Sequence, residues 1–249
     1  MGVVIITGGS GLIGAELTQG LIRDGHQVYN LDLNPVSIKG VSNMQCNLKS
    51  IDEIKACLNK IYRHVSHIDL LINNAGIDAK VDDNTCLTRN SERFSLNIEL
   101  LEDMYLVNMK AMIFLTCEVL NRNLTNRLTR IINVASVYSY VSPTPQLYKG
   151  LESMTRKSVE YVATKSFIPN FTRYVTSHFG EDLVVCNNIV PHGIVSEPTR
   201  AFKDNWAALT PNKVLSSPFE VWEAVKFLSH APISVNGIDL KLDGGWTSR

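Results

Sequence analysis

The chain has 249 residues, which is enough for one large α/β domain without a second core. Lys and Arg together number 24, as do Asp and Glu, so no net charge favours nucleic acid or an anionic membrane as a partner. Apolar residues make up 45% of the chain, a share typical of globular rather than disordered proteins. We therefore expect one domain over residues 1–249, with no nucleic acid and no membrane as partner.

Short β-branched or aliphatic runs alternate with longer amphipathic segments along the chain. Strands are predicted at 3–7, 27–31, 69–73, 130–134, 183–189 and 238–242. Helices are predicted at 12–23, 51–62, 98–121, 158–179, with a kink at Pro169, and 220–229. Strands that are apolar on both faces and alternate with helices predict a parallel sheet covered by helices on each side. The predicted fold class is α/β, a doubly wound parallel sheet that binds ligands at the carboxyl ends of its strands.

Two polar connections, 78–97 and 139–157, are longer than ordinary loops. Loops beyond roughly 12–15 residues are usually functional. We therefore expect both to lie on the substrate side of the fold, the second as an insertion.

The five cysteines are scattered, and none stands in a CxxC pair. This distribution is typical of unpaired thiols in a reducing compartment, so a cytoplasmic protein is expected. The six histidines show neither HExxH nor the Cys/His spacing of a zinc site, and no metal is expected. Residues 3–7 are too short for the apolar part of a signal peptide, and no apolar stretch reaches the roughly 18 residues of a membrane span.

A glycine-rich turn follows the first strand directly and leads into the first helix. It matches GxGxxG over residues 9–14. A pyrophosphate needs close backbone approach and the free N–H groups of a helix start, and glycine leaves that space. GxGxxG alone is weakly specific, but a strand before it and a helix after it make it more so. We expect a dinucleotide phosphate to be bound by Gly8, Ser10, Gly11, Leu12, Ile13 and Gly14.

The second strand leads to Asp32, which lies 18 residues after Gly14. That spacing is close to the roughly 20 residues expected for the acid that binds the adenosine ribose. A carboxylate there accepts hydrogen bonds from the ribose hydroxyls and repels a 2′-phosphate, and the nearest following cation is Lys39. The sequence therefore favours NAD over NADP as the cofactor.

Three further motifs follow the glycine-rich turn in order. They are Asn73-Asn74-Ala75-Gly76 after the third strand, Ser136 after the fourth strand, and Tyr161-Val162-Ala163-Thr164-Lys165 in a predicted helix. Together with the C-terminal Leu242-Asp243-Gly244-Gly245-Trp246, they resemble the short-chain dehydrogenase/reductase family over nearly the whole chain. The resemblance implies a Rossmann-type, NAD(P)-binding domain and a hydride transfer between nicotinamide and a carbinol or carbonyl carbon.

The resemblance also implies roles for single residues. It makes Tyr161 the general acid/base, Lys165 its partner, Ser136 the hydroxyl that orients the substrate carbonyl, and Asn108 a member of a water or proton relay. Further cofactor contacts are implied for Leu33, Asn47, Leu48, Asn74, Ala75, Gly76, Tyr161, Lys165, Pro191, Gly193 and Ile194. Asn47 stands where the family usually has Asp near adenine, and its amide forms hydrogen bonds without a charge.

The residue types suit that chemistry. A tyrosine with a pKa near 10 is a poor base at neutral pH, and an ammonium nearby favours its phenolate. Residues four apart share a helix face, so Tyr161 and Lys165 point into one cleft. Ser136 can then hold the substrate oxygen in position for the transfer.

The spacing between the serine and the tyrosine departs from the family pattern. Family members usually place the tyrosine about a dozen residues after the serine, whereas Tyr161 follows Ser136 by 25. Tyr148 fits the distance better, but Glu152 rather than a lysine lies four residues after it. Only Tyr161 has its lysine on the same helix face, so we assign the proton transfer to Tyr161 and treat Tyr148 as a candidate substrate contact.

The predicted insertion is aromatic and basic, with Tyr138 just before it and Tyr140, Tyr148, Lys149, Arg156 and Lys157 within it. Such a segment suits a polar, anionic ligand such as a sugar phosphate, a sugar nucleotide or a sugar acid, although a solvated loop with ordinary surface charges also fits. Candidate substrate contacts are Ser136, Tyr138, Tyr148 and His192. His192 either touches substrate or simply fills space.

The pattern around the insertion is also similar to a narrower subgroup, the flagellin-modification-type oxidoreductases associated with bacterial sialic-acid-like sugars. A sugar-derived small molecule is therefore the expected substrate. Two alternatives stay open, an NAD-retaining sugar-nucleotide epimerase or dehydratase and a non-catalytic NAD-sensing module. The family further implies a homo-oligomer, a dimer or tetramer formed through the helices that carry Asn108 and Tyr161. Apolar candidates for that interface, which also fit a core position, are Met109, Met112, Ile113 and Leu115.

Overall fold

The computed structural model describes residues 2–79, 96–150, 157–196 and 199–248. Within these ranges seven strands form one parallel sheet: β1 (Val3–Thr7), β2 (Gln27–Asp32), β3 (Ser42–Gln45), β4 (Leu70–Asn73), β5 (Thr129–Val134), β6 (Val184–Pro191) and β7 (Asp239–Leu242). Their order is β3-β2-β1-β4-β5-β6-β7. The predicted α/β, doubly wound fold is confirmed. The strand order reverses between β1 and β4, the place where such sheets bind ligands.

Helices cover both faces of the sheet. They are α1 (Leu12–Arg23), α2 (Ile51–Ile61), α3 (Ile98–Met104), α4 (Met112–Arg122), α5 (Val159–Ser166), α6 (Ile168–Phe179), α7 (Arg200–Leu209) and α8 (Pro218–His230). On one face, buried side chains of α2, α4 and α6 pack on the sheet. On the other face the same is true of α1 and α8. In the part of the chain that the structure describes, no helix is long and apolar enough to cross a membrane.

The edge strand β3 was not predicted. Its sequence, Ser-Asn-Met-Gln, is polar and lacks the apolar pattern of a strand. It pairs with β2 at the edge of the sheet, where Asn43 exchanges two hydrogen bonds with the backbone of Val36, at 3.0 and 3.1 Å. The pairing with β2, the side-chain hydrogen bonds of Asn43 and the packing of Met44 on the core thus hold this strand.

Two predicted long helices are each divided. The segment predicted at 98–121 consists of α3, a π-helical part (Tyr105–Ala111) and α4. The segment predicted at 158–179 consists of α5 and α6, which are separated at Phe167. Pro169 has no N–H to donate to the carbonyl of Lys165 four residues earlier, so the helix cannot continue through this turn. The hydroxyl of Ser139 donates to the Lys165 carbonyl instead, at 2.7 Å.

The predicted insertion begins with short 3₁₀ helices at Val137–Ser139 and Pro145–Tyr148. Residues 151–156 of the insertion, which include Arg156, lie outside the described residues, as do residues 80–95 of the first long loop.

A row of polar side chains crosses four neighbouring strands. Asn73, Asn133, Asn188 and Asp239 are paired in register on β4 to β7. Asn73 Nδ2 donates to Asn133 Oδ1 at 2.8 Å, and Asn188 Nδ2 donates to Asp239 Oδ1 at 2.6 Å. Thr172 joins the two pairs, since its hydroxyl accepts from Asn133 and donates to Asn188. The row lies within the sheet, at the carboxyl ends of β4 and β5, in the middle of β6 and at the first residue of β7.

Candidate active site

Two adjoining clefts lie at the carboxyl ends of the strands. The larger, of about 860 Å³, runs over the ends of β1 and β2. The smaller, of about 330 Å³, lies over the ends of β5 and β6. The larger is lined by predicted cofactor residues: Gly8, Ser10, Gly11, Leu12, Ile13, Gly14, Asp32, Leu33, Asn47, Leu48, Asn74, Ala75, Gly76 and Ile194. The smaller is lined by predicted catalytic, substrate and cofactor residues: Ser136, Tyr138, Tyr148, Tyr161, Lys165, Pro191, His192 and Gly193.

The glycines of the first turn differ in what they require. A Cβ on Gly14 would lie 2.0 Å from the carbonyl oxygen of Gly8, so only glycine fits there. A Cβ on Gly11 would meet only that same oxygen, at an ordinary 3.5 Å, and Gly11 has φ −76°. The protein's own packing therefore does not require glycine at 11. The space left by its missing side chain belongs to the cleft, as a bound phosphate would need.

The start of α1 faces the same cleft. Its N-cap is Gly11, which supplies no side-chain hydrogen bond, and its first turn carries no acidic residue. The first N–H groups of a helix have no partner within the helix and carry a partial positive charge. Together with the open space at Gly11, this donor set fits the pyrophosphate of a dinucleotide.

Polar contacts fix the glycine-rich turn to the end of β4. The amide of Asn74 donates to the carbonyls of Thr7 and Gly8, both at 3.0 Å. The hydroxyl of Thr7 accepts from the backbone N–H groups of Asn74 and Ala75, at 3.1 and 3.0 Å. The two sides of the strand-order reversal are thus held together by side chains that line or border the cleft.

Asp32 lies at the end of β2, where its carboxylate accepts from the backbone N–H groups of Ser10 and Asn34, at 3.0 and 3.1 Å. Beside it Leu33 is 58% exposed and supplies an apolar surface in the same cleft. Lys49, which the sequence analysis did not single out, also lines this cleft and is paired with Asp103 at 2.5 Å. The described lining of the larger cleft therefore offers no unpaired cation for a 2′-phosphate.

Tyr161 and Lys165 stand one turn apart on α5, whose N-cap Ser158 accepts from the backbone N–H of Tyr161 at 3.3 Å. The ammonium of Lys165 lies 5.9 Å from the centre of the Tyr161 ring and donates to the carbonyl of Val134 at 3.0 Å. Burial raises the pKa of Tyr161, and hydrogen bonding to the Ser136 hydroxyl opposes that shift. Burial lowers the pKa of Lys165 to about 8. A protonated phenol and a readily deprotonated ammonium therefore share the smaller cleft.

A second lysine, Lys157, also lies close to the ring of Tyr161. Its ammonium is 4.3 Å from the centre of the Tyr161 ring and forms an ion pair with Asp78. Tyr161 thus has a lysine four residues before it and another four residues after it. In the sequence Lys157 stands out only as one of the basic residues of the insertion, although its position four residues before Tyr161 allows a contact with that ring.

Asn108 lies in the π-helical segment, and its side chain does not line either cleft. Its Oδ1 accepts from the N–H of Ile77 at 2.7 Å, and its Nδ2 donates to the carbonyl of Ile77 at 3.0 Å and to Thr164 at 3.2 Å. The side chain therefore ties the segment after Gly76 to α5, and the relay role implied by the resemblance stays a prediction.

The candidate substrate contacts are surrounded by aromatic rings. The hydroxyls of Tyr138 and Tyr148 lie 3.2 Å apart, and Tyr138 meets Tyr161 edge to face, with ring centres 6.5 Å apart. His192 lies against Trp206 of α7, whose Nε1 donates to His192 Nδ1 at 2.7 Å.

Helix α7 and Trp206 were missed in the sequence analysis. Thr199 caps α7 by accepting from the N–H of Phe202, and Phe202, Trp206 and Leu209 follow at helical spacing. Both the cap and the spacing are visible in the sequence, so this element was predictable in principle.

Of the four apolar residues considered for an interface, Met112 and Leu115 are buried in the core, at 4% and 1% exposure. Ile113 is 37% exposed on the same helix. Only part of the apolar pattern of this helix is thus available to a partner.

Comparison with known proteins gives a consistent result. A sequence profile described as short chain dehydrogenase matches residues 2–207. The 3-oxoacyl-(acyl-carrier-protein) reductase FabG of Buchnera aphidicola is 26% identical over 96% of this chain and 95% of its own length. The 2-(R)-hydroxypropyl-CoM dehydrogenase of Xanthobacter autotrophicus is 26% identical over 99% and 98%. A short chain dehydrogenase from Leptospira borgpetersenii, solved with bound NAD+, superposes with a TM-score of 0.85 at 25% identity, over 99% of this chain and 92% of that one.

Proposed function

Since this chain belongs to the short-chain dehydrogenase family of oxidoreductases, we propose that it transfers a hydride between NAD and a carbinol or carbonyl carbon of a small, polar, sugar-derived substrate. The observation that carries the proposal is the meeting of Tyr161, Lys165 and Ser136 in a cleft that adjoins the glycine-rich turn. Among the described residues, no contact in that cleft favours an epimerase, a dehydratase or a sensing module.

The larger cleft would hold the dinucleotide. Gly11, Gly14 and the N–H groups at the start of α1 would bind the pyrophosphate, and Asp32 would accept from the ribose hydroxyls. Leu33 and Leu48 would border the adenine, while Pro191, Gly193 and Ile194 would border the nicotinamide end. When bound, the nicotinamide supplies or accepts the hydride.

The residues of the smaller cleft would handle the substrate oxygen and its proton. Ser136 would hold the oxygen, and Tyr161 would donate or accept the proton. The buried phenol is protonated at neutral pH, so it is ready to act as an acid toward a carbonyl. In the opposite direction the ammonium of Lys165 stabilises the phenolate, which is the form that acts as the base. The ammonium of Lys157 lies over the same ring, with its charge paired with Asp78.

We further propose that Asp32 determines the preference for NAD. Replacing Asp32 by alanine removes the charge that repels a 2′-phosphate, and the ratio of the NADP to the NAD dissociation constant is expected to fall about tenfold. Fluorescence titration of both dinucleotides measures that ratio. Asp52→Ala, at an exposed position in the first turn of α2, is the control. Equal affinities for the two dinucleotides in the unchanged protein would refute the assignment.

Polar side chains within the smaller cleft support a sugar-derived substrate rather than an acyl thioester. Tyr138, Tyr148, Lys157 and His192 all line the smaller cleft, and such groups recognise hydroxyls and anions. The test is a panel of D-glucose, D-glucuronate, D-glucose 6-phosphate and UDP-glucose with NAD, and of acetoacetyl-CoA with NADH. At least one sugar compound is expected to react with a kcat/KM at least about tenfold above that of acetoacetyl-CoA. A clear preference for the thioester would contradict the proposal.

We also propose a homo-oligomer. The exposed Ile113 on α4 and the exposed Val159 and Tyr174, on α5 and α6, supply apolar surface on the helices from which the family resemblance implies assembly.

A further inference from the structure

His192 directly follows β6 and is 7% exposed in the wall of the smaller cleft. Its backbone N–H donates to the carbonyl of Leu242 at 3.1 Å, which fixes it against the end of β7. Ser136 follows β5, the strand next to β6. Neighbouring strands lie about 4.8 Å apart, so the two side chains start from adjacent strand ends above one cleft.

Trp206 determines which ring nitrogen of His192 carries the proton. Its Nε1 lies 2.7 Å from His192 Nδ1, and the two ring planes are 22° apart. An indole N–H only donates, so Nδ1 accepts and carries no proton. Burial lowers the pKa of His192, so the ring is neutral near pH 7. Its single proton therefore lies on Nε2.

The tryptophan that imposes this tautomer is itself held on several sides. Trp206 is 3% exposed, and its ring centre lies 5.4 Å from that of Phe202 and 5.5 Å from that of Trp246. Gly193 leaves room for it, because a Cβ at that position would lie 2.9 Å from the Trp206 ring. The orientation of the His192 ring is thus fixed before any substrate binds, which is what a specific binding contact requires.

The remaining donor of His192 is open. Among the described residues, none accepts a hydrogen bond from Nε2. His192 lines the smaller cleft, so its Nε2 donor is free to pair with an acceptor that a ligand brings there.

We propose that His192 is a specificity-determining residue, which donates from Nε2 to a hydroxyl or carbonyl oxygen on the carbon next to the reacting carbon. Ser136 and His192 leave adjacent strand ends and line the same cleft, so we expect the two oxygens that they bind to lie on neighbouring carbons of one substrate. The inference rests on the proposed function and narrows the substrate class to α-hydroxy carbonyl compounds and the corresponding vicinal diols.

Two ketones test the inference with NADH as reductant. Acetoin carries a hydroxyl next to its carbonyl, whereas 2-butanone has the same carbon chain without it. The unchanged protein is expected to reduce acetoin with a kcat/KM at least about tenfold above that of 2-butanone. His192→Leu is expected to remove this preference by lowering the acetoin value, with the 2-butanone value kept within about twofold.

Three controls separate a binding contact from a structural role. His192→Gln, whose amide donates a hydrogen bond, is expected to restore part of the preference. The dissociation constant of NADH is expected to stay within about twofold in both variants. His178→Leu, at an exposed histidine of α6, is expected to leave the preference unchanged.

Nitrogen-15 NMR of the labelled imidazole of His192 identifies its tautomer without any catalytic turnover. Nε2 is expected to be protonated and Nδ1 unprotonated at pH 7, and Trp206→Phe is expected to release that constraint. The reverse tautomer or a charged ring overturns the inference whatever the kinetics show. So does the absence of an acetoin preference in a protein that reduces or oxidises other compounds with NAD(H). A protein that turns over none of the compounds refutes the proposed function instead.

Discussion

Tyr161→Phe is expected to lower kcat by about 10²- to 10⁴-fold while the dissociation constant of NADH changes little. The substitution removes only the hydroxyl that handles the proton. The ring contacts with Tyr138 and Lys157 stay, so the cleft keeps its shape. Steady-state kinetics with the best compound of the sugar panel, together with a fluorescence titration of NADH, separates the two quantities.

Tyr148→Phe is the matched control. Tyr148 lines the same cleft and its hydroxyl lies 3.2 Å from that of Tyr138, but it lies on a 3₁₀ helix and has no lysine one turn further on. We expect a loss of at most about tenfold, mainly in KM, as for a substrate contact. If Tyr148→Phe were inactive and Tyr161→Phe active, the assignment of the proton transfer to Tyr161 would be wrong.

The second large effect is expected at the glycine-rich turn. In Gly11→Ala the new methyl group meets no atom of the protein closer than 3.5 Å, and the backbone conformation there suits alanine. The protein is expected to remain as stable as before, with a midpoint of thermal unfolding within about 2 °C. The methyl group occupies the space proposed for the pyrophosphate, so the dissociation constant of NADH is expected to rise at least about tenfold.

Gly14→Ala provides the contrast. Its methyl group would lie 2.0 Å from the carbonyl oxygen of Gly8, which is backbone and cannot move aside without opening the turn. We expect a loss of about 1–3 kcal/mol in the free energy of unfolding as well as a loss of NADH affinity. Calorimetry measures the stability of both variants, and NADH titration measures their affinity for the dinucleotide. Unchanged NADH affinity in Gly11→Ala would mean that the cleft does not bind the dinucleotide at this turn.

Much of the fold was accessible from the sequence because its strands are apolar on both faces. The runs at β1 and β4 are aliphatic and those at β5 and β6 are largely so, which is a strong signal for a buried parallel sheet. The edge strand β3 has no such pattern, because its residues are mostly polar. Its Asn43 instead forms side-chain hydrogen bonds with the backbone of Val36. Side-chain hydrogen bonds of this kind follow no periodic pattern along the sequence. A strand that depends on them is therefore not predicted from periodicity.

In the candidate site, too, some residues were predictable from local sequence patterns and others were not. Residues that follow strand ends or share a helix turn, such as Asp32, Ser136 and the Tyr161–Lys165 pair, are placed by local spacing and were anticipated. The contact between His192 and Trp206 joins the end of β6 to a later helix, 14 residues further along the chain. The ion pair between Asp78 and Lys157 joins residues 79 apart. Such contacts depend on how the elements pack, which no single stretch of sequence specifies.

The polar row across β4 to β7 has a consequence for the alignment of the strands. Where both faces of a strand are aliphatic, a shift by one residue exchanges one apolar side chain for another and costs little. With Asn73 opposite Asn133, and Asn188 opposite Asp239, the same shift leaves buried amides without partners, at about 1–3 kcal/mol each. The four residues therefore stabilise one strand register against its neighbours. This register also sets the relative positions of the strand ends that Asn74, Ser136 and His192 follow. It thereby sets the spacing of the groups that face the substrate.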